Sequence, residues 1–274
     1  MSMISMSVKL LASFLLLNQV VEAQSAPRFD AIMEEKYPEY SHEVLPVRTQ
    51  DGYILNLLHI WKPDALKTEL HPVLFQHGGS QDGTTWLTDW EFPAPAITLA
   101  ADGHHVYLGN NRGTEYSRHS FFDKERDADI FWDFSWDEMA FDVKAFSQIM
   151  YSNSGGKKGY YVGYSTGTTE ALVALSKFEY ELNLYLNKVI LLAPCYLQDV
   201  TAAYPGISHD AGVLTDALED IGVYAISGPE ASWKASQDKI CAELDPTICE
   251  WANFIPAGIQ PMTTRTLNHF MQNS

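Results

Sequence analysis

The pentapeptide Gly163-Tyr164-Ser165-Thr166-Gly167 restricts the fold more than any other stretch of this 274-residue chain. It stands between a short apolar run, Tyr160-Tyr161-Val162, and an amphipathic run over 167–178. A turn that tight between a strand and a helix crowds the positions two before and two after its tip, so both favour glycine. Here they are Gly163 and Gly167. The residue at the tip is then held in a strained conformation, its side chain exposed and a helix N-terminus behind it. The pattern predicts Ser165 as the nucleophile on such an elbow. The plainer reading is a strand–helix turn with a capping serine; the strand before and the helix after favour the elbow.

The rest of the chain fits the same architecture. Residues 42–48 and 53–61 read as two strands joined through Gln50-Asp51-Gly52, a hairpin turn signal. Pro72 to Gln76 and Val106 to Gly109 read as short buried strands, and 93–102 as a helix stopped by Gly103. Residues 135–151 give the clearest helix, opened by the capping-box spacing of Ser135 and Glu138. Lys188 to Ala193 reads as a further strand, ending at Pro194. Short apolar strands alternating with amphipathic helices predict an α/β fold, a mostly parallel sheet with helices on both faces. After Pro194 the rhythm breaks. Residues 196–274 offer helical fragments, many polar residues and no convincing strand, and read as a helical cap. The expected organisation is 1–23 as a signal peptide, 24–195 as the sheet core with six strands, and 196–274 as an incomplete cap or lid.

The signal peptide rests on a short polar segment ending at Lys9, the apolar run Leu10 to Leu17, and Val21-Glu22-Ala23 as a cleavage site. That run is too short to span a bilayer, which takes about 20 apolar residues, and no later stretch is apolar enough. The expected location is outside the cell or in a lysosomal or vacuolar lumen. A net charge of −17 argues against nucleic acid or an anionic membrane as partner and leaves neutral substrates and neutral lipid surfaces open. Of the three cysteines, Cys195 follows an apolar run and reads as buried. Cys241 and Cys249 are close enough in sequence to close a small loop. No Cys/His spacing resembles a zinc site, no Asn-x-Ser/Thr acceptor occurs, and the reading calls for no metal and no cofactor.

Gln76-His77-Gly78-Gly79 follows the third strand. In folds with a serine elbow one oxyanion donor is the N–H after the nucleophile and the other comes from this loop, which points to Thr166 and Gly79. His77 reads as a loop histidine holding the turn, because it precedes Ser165 while the triad histidine of such folds comes last.

With these segments in hand, the chain resembles the acid lipase family of gastric and lysosomal lipases, an α/β-hydrolase fold. The resemblance is carried by Asp51-Gly52-Tyr53-Ile54-Leu55, His77-Gly78, Gly109 to Thr114, Phe131 to Ala140 and Tyr161 to Thr169, in the family's order from about residue 30 to 194. It implies hydrolysis of acylglycerols or sterol esters at a lipid–water surface. Ser165 is then the nucleophile, and Gly79 and Thr166 are the oxyanion donors. It also implies a Cys241–Cys249 cap disulfide, and it matches Pro256 to Gly258 and Leu267 to Gln272 to the end of the cap.

The sequence departs from the family pattern at its end. The last two strands are missing, and no residue matches the triad Asp or His, which follow the serine in that order. His209, Asp210 and His269 lie after Ser165 but in the cap region. The alternative is therefore a catalytically impaired relative, a pseudo-enzyme or fragment; another serine hydrolase, such as a peptidase or thioesterase, is a third reading. The sixth strand, with Val189 to Leu192, is expected as a bare apolar sheet edge. Phe131, Trp132, Phe134 and Trp136 read as core, Asp123 to Asp129 as a solvated loop, Arg112 as a loop anchor through a carboxylate, and His104 and His105 as a turn.

Overall fold

Thr49, Asp51 and Gly52 reverse the chain between the first two strands, β1 (Ser41–Arg48) and β2 (Tyr53–Trp61), which pair antiparallel. Gly52 sits at φ 105°, and a Cβ there would lie 2.8 Å from the His119 ring, so the turn needs glycine on both counts. The computed structural model describes residues 24–65, 70–88, 93–195, 211–255, 257–258 and 260–267. The expected signal peptide, His209, Asp210 and His269 lie outside them.

The main sheet runs β1-β2-β4-β3-β6-β7, where β3 is Val73–Gln76, β4 Val106–Gly109, β6 Gly159–Tyr164 and β7 Leu186–Leu192. The last four are mutually parallel. A two-residue β5 (Arg118–His119) pairs with β2. Alternate residues feed opposite faces. Leu55, Leu57, Leu74, Tyr107 and Tyr161 pack under α5 (Trp136–Asn153) and α6 (Thr166–Tyr185), against Val143, Phe146, Ala171 and Ala174. Leu58, Ile60, Phe75, Leu108 and Val162 face the other way, onto Phe29 and Met33 of α1 (Pro27–Lys36), Trp86 of α2 (Thr85–Thr88) and Ile97 of α3 (Pro95–Asp102). A one-turn α4 (Ala128–Phe131) adds Phe131 to the first cluster. The sheet is buried on both faces, as the mostly parallel reading requires.

The strand and helix expectations hold with local differences. Helix α3 ends at Gly103, left-handed at φ 104°. At the start of α5, Ser135 N–H donates to the Glu138 carboxylate at 2.9 Å. Helix α6 continues to Tyr185 across a non-helical Phe178, so the expected end at 178 marks a kink. Strand β7 pairs with β6 alone among the described residues, and Ile190 and Leu192 stand partly exposed. Beyond residue 210 the expectation of no strand is overturned. Between α7 (Ala211–Asp220), α8 (Glu230–Glu243) and α9 (Pro246–Phe254), β8 (Ala225–Ser227) pairs antiparallel with β9 (Pro261–Thr263). Three residues each are too few to print an alternating pattern. Leu218, Ile226, Trp233, Ile240 and Ala252 form the core of this segment, and a Cys241–Cys249 disulfide ties α8 to α9. Cys195 is a free, buried thiol. Among the described residues no helix is long and apolar enough to cross a membrane.

Candidate active site

Ser165 occupies the step from β6 into α6, with φ 51° and ψ −119°. That is a strained conformation for a residue with a Cβ. Both flanking glycines are sterically required. A Cβ on Gly163 would fall 2.5 Å from Gly167 O, and one on Gly167 would fall 2.8 Å from His77 O. The strain is held from several sides. Ser165 N–H donates to Leu192 O (3.0 Å), Thr168 Oγ1 to Ser165 O (2.6 Å) and Tyr161 OH to Gly167 O (2.7 Å). Replacing Gly163 with Ala is expected to cost about 1–3 kcal/mol through this backbone clash, read as a lower denaturation midpoint at unchanged m-value. A neutral result would mean that the elbow has slack.

The loop after β3 lies against the elbow. A Cβ on Gly78 would sit 3.2 Å from Ser165 Cβ, and one on Gly79 would sit 3.2 Å from Thr166 Cγ2. Thr166 opens α6, so its N–H belongs to the first turn, which has no intrahelical acceptor. The two residues expected to form an oxyanion hole are thus neighbours of each other and of Ser165.

His77 does not face Ser165 as a base. Its ring is fully buried. Nε2 accepts from Asn111 N–H (3.4 Å), which leaves Nδ1 to donate to Gly78 O (2.8 Å). Burial pushes its pKa down, against the hydrogen bond to Gly78. It is a neutral imidazole that ties the loop after β4 to the loop after β3. Among the described residues, no side chain hydrogen-bonds Ser165 Oγ.

Behind the loops runs a buried polar network. Arg112 is fully engaged. Nε and Nη2 donate to Asp142 (2.9 and 2.7 Å), and Nη1 and Nη2 donate to Asp51 (2.6 and 3.0 Å). Its guanidinium carbon stands 4.2 Å over the Tyr53 ring. Burial works against the Asp51 carboxylate, but Arg112 outweighs it and holds Asp51 below its ordinary pKa. Arg112 is thus a loop anchor through carboxylates, and there are two of them. Beside it Gln76 Nε2 donates to Asn111 Oδ1 (2.7 Å), and Asn111 Nδ2 donates to Glu170 Oε1 (2.7 Å). Glu170 is fully buried on α6, five residues after Ser165.

A cavity of about 30 Å³, room for one or two water molecules, lies on the Thr166 side of the elbow. Gly79, Thr166 and Glu170 line it from the core, Trp136 and Met139 from α5, and Met262, Thr263 and Thr266 from the C-terminal segment. Ser165 is not on its wall. The C-terminal segment is pinned there by polar contacts. Gln260 bridges Glu115 N–H and the buried Asp82, and Thr263 Oγ1 donates to Phe134 O.

Sequence reasoning missed Gln76, Asn111 and Glu170 as members of one network. A signal for Glu170 was present: it falls on the i, i+4 stripe Thr166–Glu170–Ala174 that α6 buries, where a charge is out of place.

Comparison with known proteins agrees with this geometry. The family model described as "alpha/beta hydrolase fold" matches residues 71–220. The one described as "partial alpha/beta-hydrolase lipase region" matches residues 34–90. Lipase member M of Mus musculus is 40% identical over 164 residues, covering 58% of this chain and 38% of that protein. Gastric triacylglycerol lipase of Homo sapiens is 38% identical over 144 residues, covering 51% and 35%. Lipase member K of Mus musculus is 38% identical over 144 residues, again covering 51% and 35%. The chain therefore spans little more than a third of the length of the curated relatives it matches. Its sheet, its elbow and a family model that covers more than half of it agree: the chain belongs to the alpha/beta hydrolase fold family, as an acid lipase-like member.

Proposed function

We propose that this chain carries the nucleophile half of a lipase, a serine ester hydrolase acting on acylglycerols or sterol esters. Ser165 attacks the ester carbonyl. The N–H groups of Gly79 and Thr166 receive the negative charge of the tetrahedral intermediate, and water releases the acyl group. The observation that carries the reading is Ser165 strained at φ 51° between two obligatory glycines, with the Gly78-Gly79 loop packed against it. The mechanism needs a histidine presented to Ser165 Oγ with a carboxylate behind it. The segment 196–274 acts as a cap over the site, and its stretch from Pro261 to Thr266 walls the cavity beside Thr166. Neutral lipid esters at a lipid–water surface suit a strongly acidic chain better than an anionic bilayer does. Residues 1–23 direct the protein out of the cell or into a lysosomal or vacuolar lumen.

The test is covalent capture. A fluorophosphonate is expected to modify the folded protein at one residue, Ser165, located by peptide mass mapping. Esters of increasing acyl length, set against matched amides and thioesters, then read the class. Capture with ester turnover supports the lipase reading, and capture without turnover supports the impaired relative. A folded protein that is never captured but still binds lipid also supports the impaired relative, and capture at a residue other than Ser165 overturns the elbow reading.

A further inference from the structure

The buried network behind the oxyanion loop has two members that its hydrogen bonds leave half satisfied. Glu170 Oε1 accepts from Asn111, while Oε2 has no partner among the described residues, and both are out of contact with water. Gln76 Oε1, on the same ladder, is also without a donor. A carboxylate is an acceptor alone, whereas a carboxylic acid brings one O–H donor. Two buried acceptors without a donor are what a site short of one proton leaves.

The charges around Glu170 point the same way. From the loop after β4 it faces Arg112, whose side-chain hydrogen bonds among the described residues go to Asp51 and Asp142. Two carboxylates on one guanidinium leave an excess negative charge, with Asp142 of α5 acting on Glu170. From the loop after β3 comes the neutral His77, and from β6 the buried Tyr161 phenol, itself raised by burial and by Glu170. Among the described residues no cation forms an ion pair with Glu170. Burial, the largest cause, holds its pKa well above the ordinary carboxyl value.

We propose that Glu170 is a positioning residue that works as an un-ionised acid: through Asn111 it holds His77 and the Gly78-Gly79 loop against the elbow, and losing its proton shifts that loop. The path is continuous. Glu170 accepts from the Asn111 side chain, Asn111 N–H donates to His77 Nε2, and His77 Nδ1–H donates to Gly78 O. Glu170 also lines the cavity shared with Gly79 and Thr166. In its acid form Glu170 supplies one O–H donor to this buried site. Ionisation removes that donor, puts an unpaired charge beside Asp142 and strengthens the pull on the Asn111 amide, which displaces the path to His77.

The catalytic consequence rests on the lipase reading above, but the test does not. Three readouts compare the wild-type chain with Glu170→Gln, which keeps the shape and stays neutral with a donor. In infrared difference spectra, a carboxylic C=O stretch is expected in the wild type at neutral pH, absent from Glu170→Gln and lost as the pH is raised. In nitrogen NMR the His77 ring signals are expected to move together with that band, and to stay put in Glu170→Gln. Fluorophosphonate capture at Ser165 is expected to change severalfold over the same interval in the wild type alone. No carboxylic band at neutral pH, or His77 signals blind to the loss of that band, overturns the proposal. If Ser165 is never captured, the lipase reading fails and the first two readouts still decide the role of Glu170.

Discussion

Ser165→Ala is expected to abolish fluorophosphonate capture and to lower ester hydrolysis on the order of 10⁶-fold in the active enzyme. The fall is that large because the alternative nucleophile is water without an activated partner. What an oxyanion hole and pocket retain alone is about 10³–10⁴ over the uncatalysed rate. The substitution is also a clean one. The Cβ and its positive φ are kept, and no side-chain hydrogen bond to Ser165 Oγ exists among the described residues to be lost. Stability should therefore stay within about 0.5 kcal/mol of the wild type, and the denaturation curve serves as the control. A variant that keeps even a tenth of the rate would place the nucleophile elsewhere and end the elbow reading.

The parts of this protein that were legible in its sequence are those fixed by local sterics. Gly163 and Gly167 bracket Ser165 because no larger residue fits, and that constraint is written within five residues. The capping box at Ser135 and the glycine stop at Gly103 are local in the same sense. What stayed hidden depends on distance or on brevity. Asp51 and Asp142 meet the same arginine from 61 and 30 residues away, and no spacing announces such a meeting. Helix α1 begins on a proline with no capping side chain and buries only Phe29 and Met33. Strands β8 and β9 are three residues each and exist because they pair with each other. Glu170 lay on a readable stripe, but its meaning depends on the loops after β3 and β4 that close over it.

Asp51 and Glu170 respond to pH with opposite signs. Asp51, held low by Arg112, adds stability above its unfolded pKa that disappears as the pH falls through its lower folded value. Glu170, held high by burial, favours the folded state most below its ordinary pKa. That contribution declines as the pH rises toward its folded value. A site built this way is most secure in mild acid, between the two limits.

The larger structural effect is expected at Arg112. Arg112→Met should destabilise the fold by about 3–5 kcal/mol, much of what keeps a domain folded. The loss is more than the ion pairs themselves. Asp142 is wholly buried and accepts from Arg112 Nε, Nη2 and backbone N–H. With the guanidinium gone, it keeps a single donor and no opposite charge. Tyr53 loses the cation over its ring at the same time. Lysine is a weak substitute, because a single ammonium cannot present separate donor pairs to two carboxylates, so Arg112→Lys should fall between the wild type and Arg112→Met. The informative variant is Arg112→Met with Asp142→Leu. Once the stranded charge is removed, a large part of the loss should return, since an apolar replacement of a buried pair is often close to neutral. Urea denaturation of the three variants measures this directly. A single-variant cost under about 1 kcal/mol, or no recovery in the double variant, would mean that Arg112 acts by packing and not by charge. The ion-pair cross-link between the hairpin turn, the loop after β4 and α5 would then have to be abandoned.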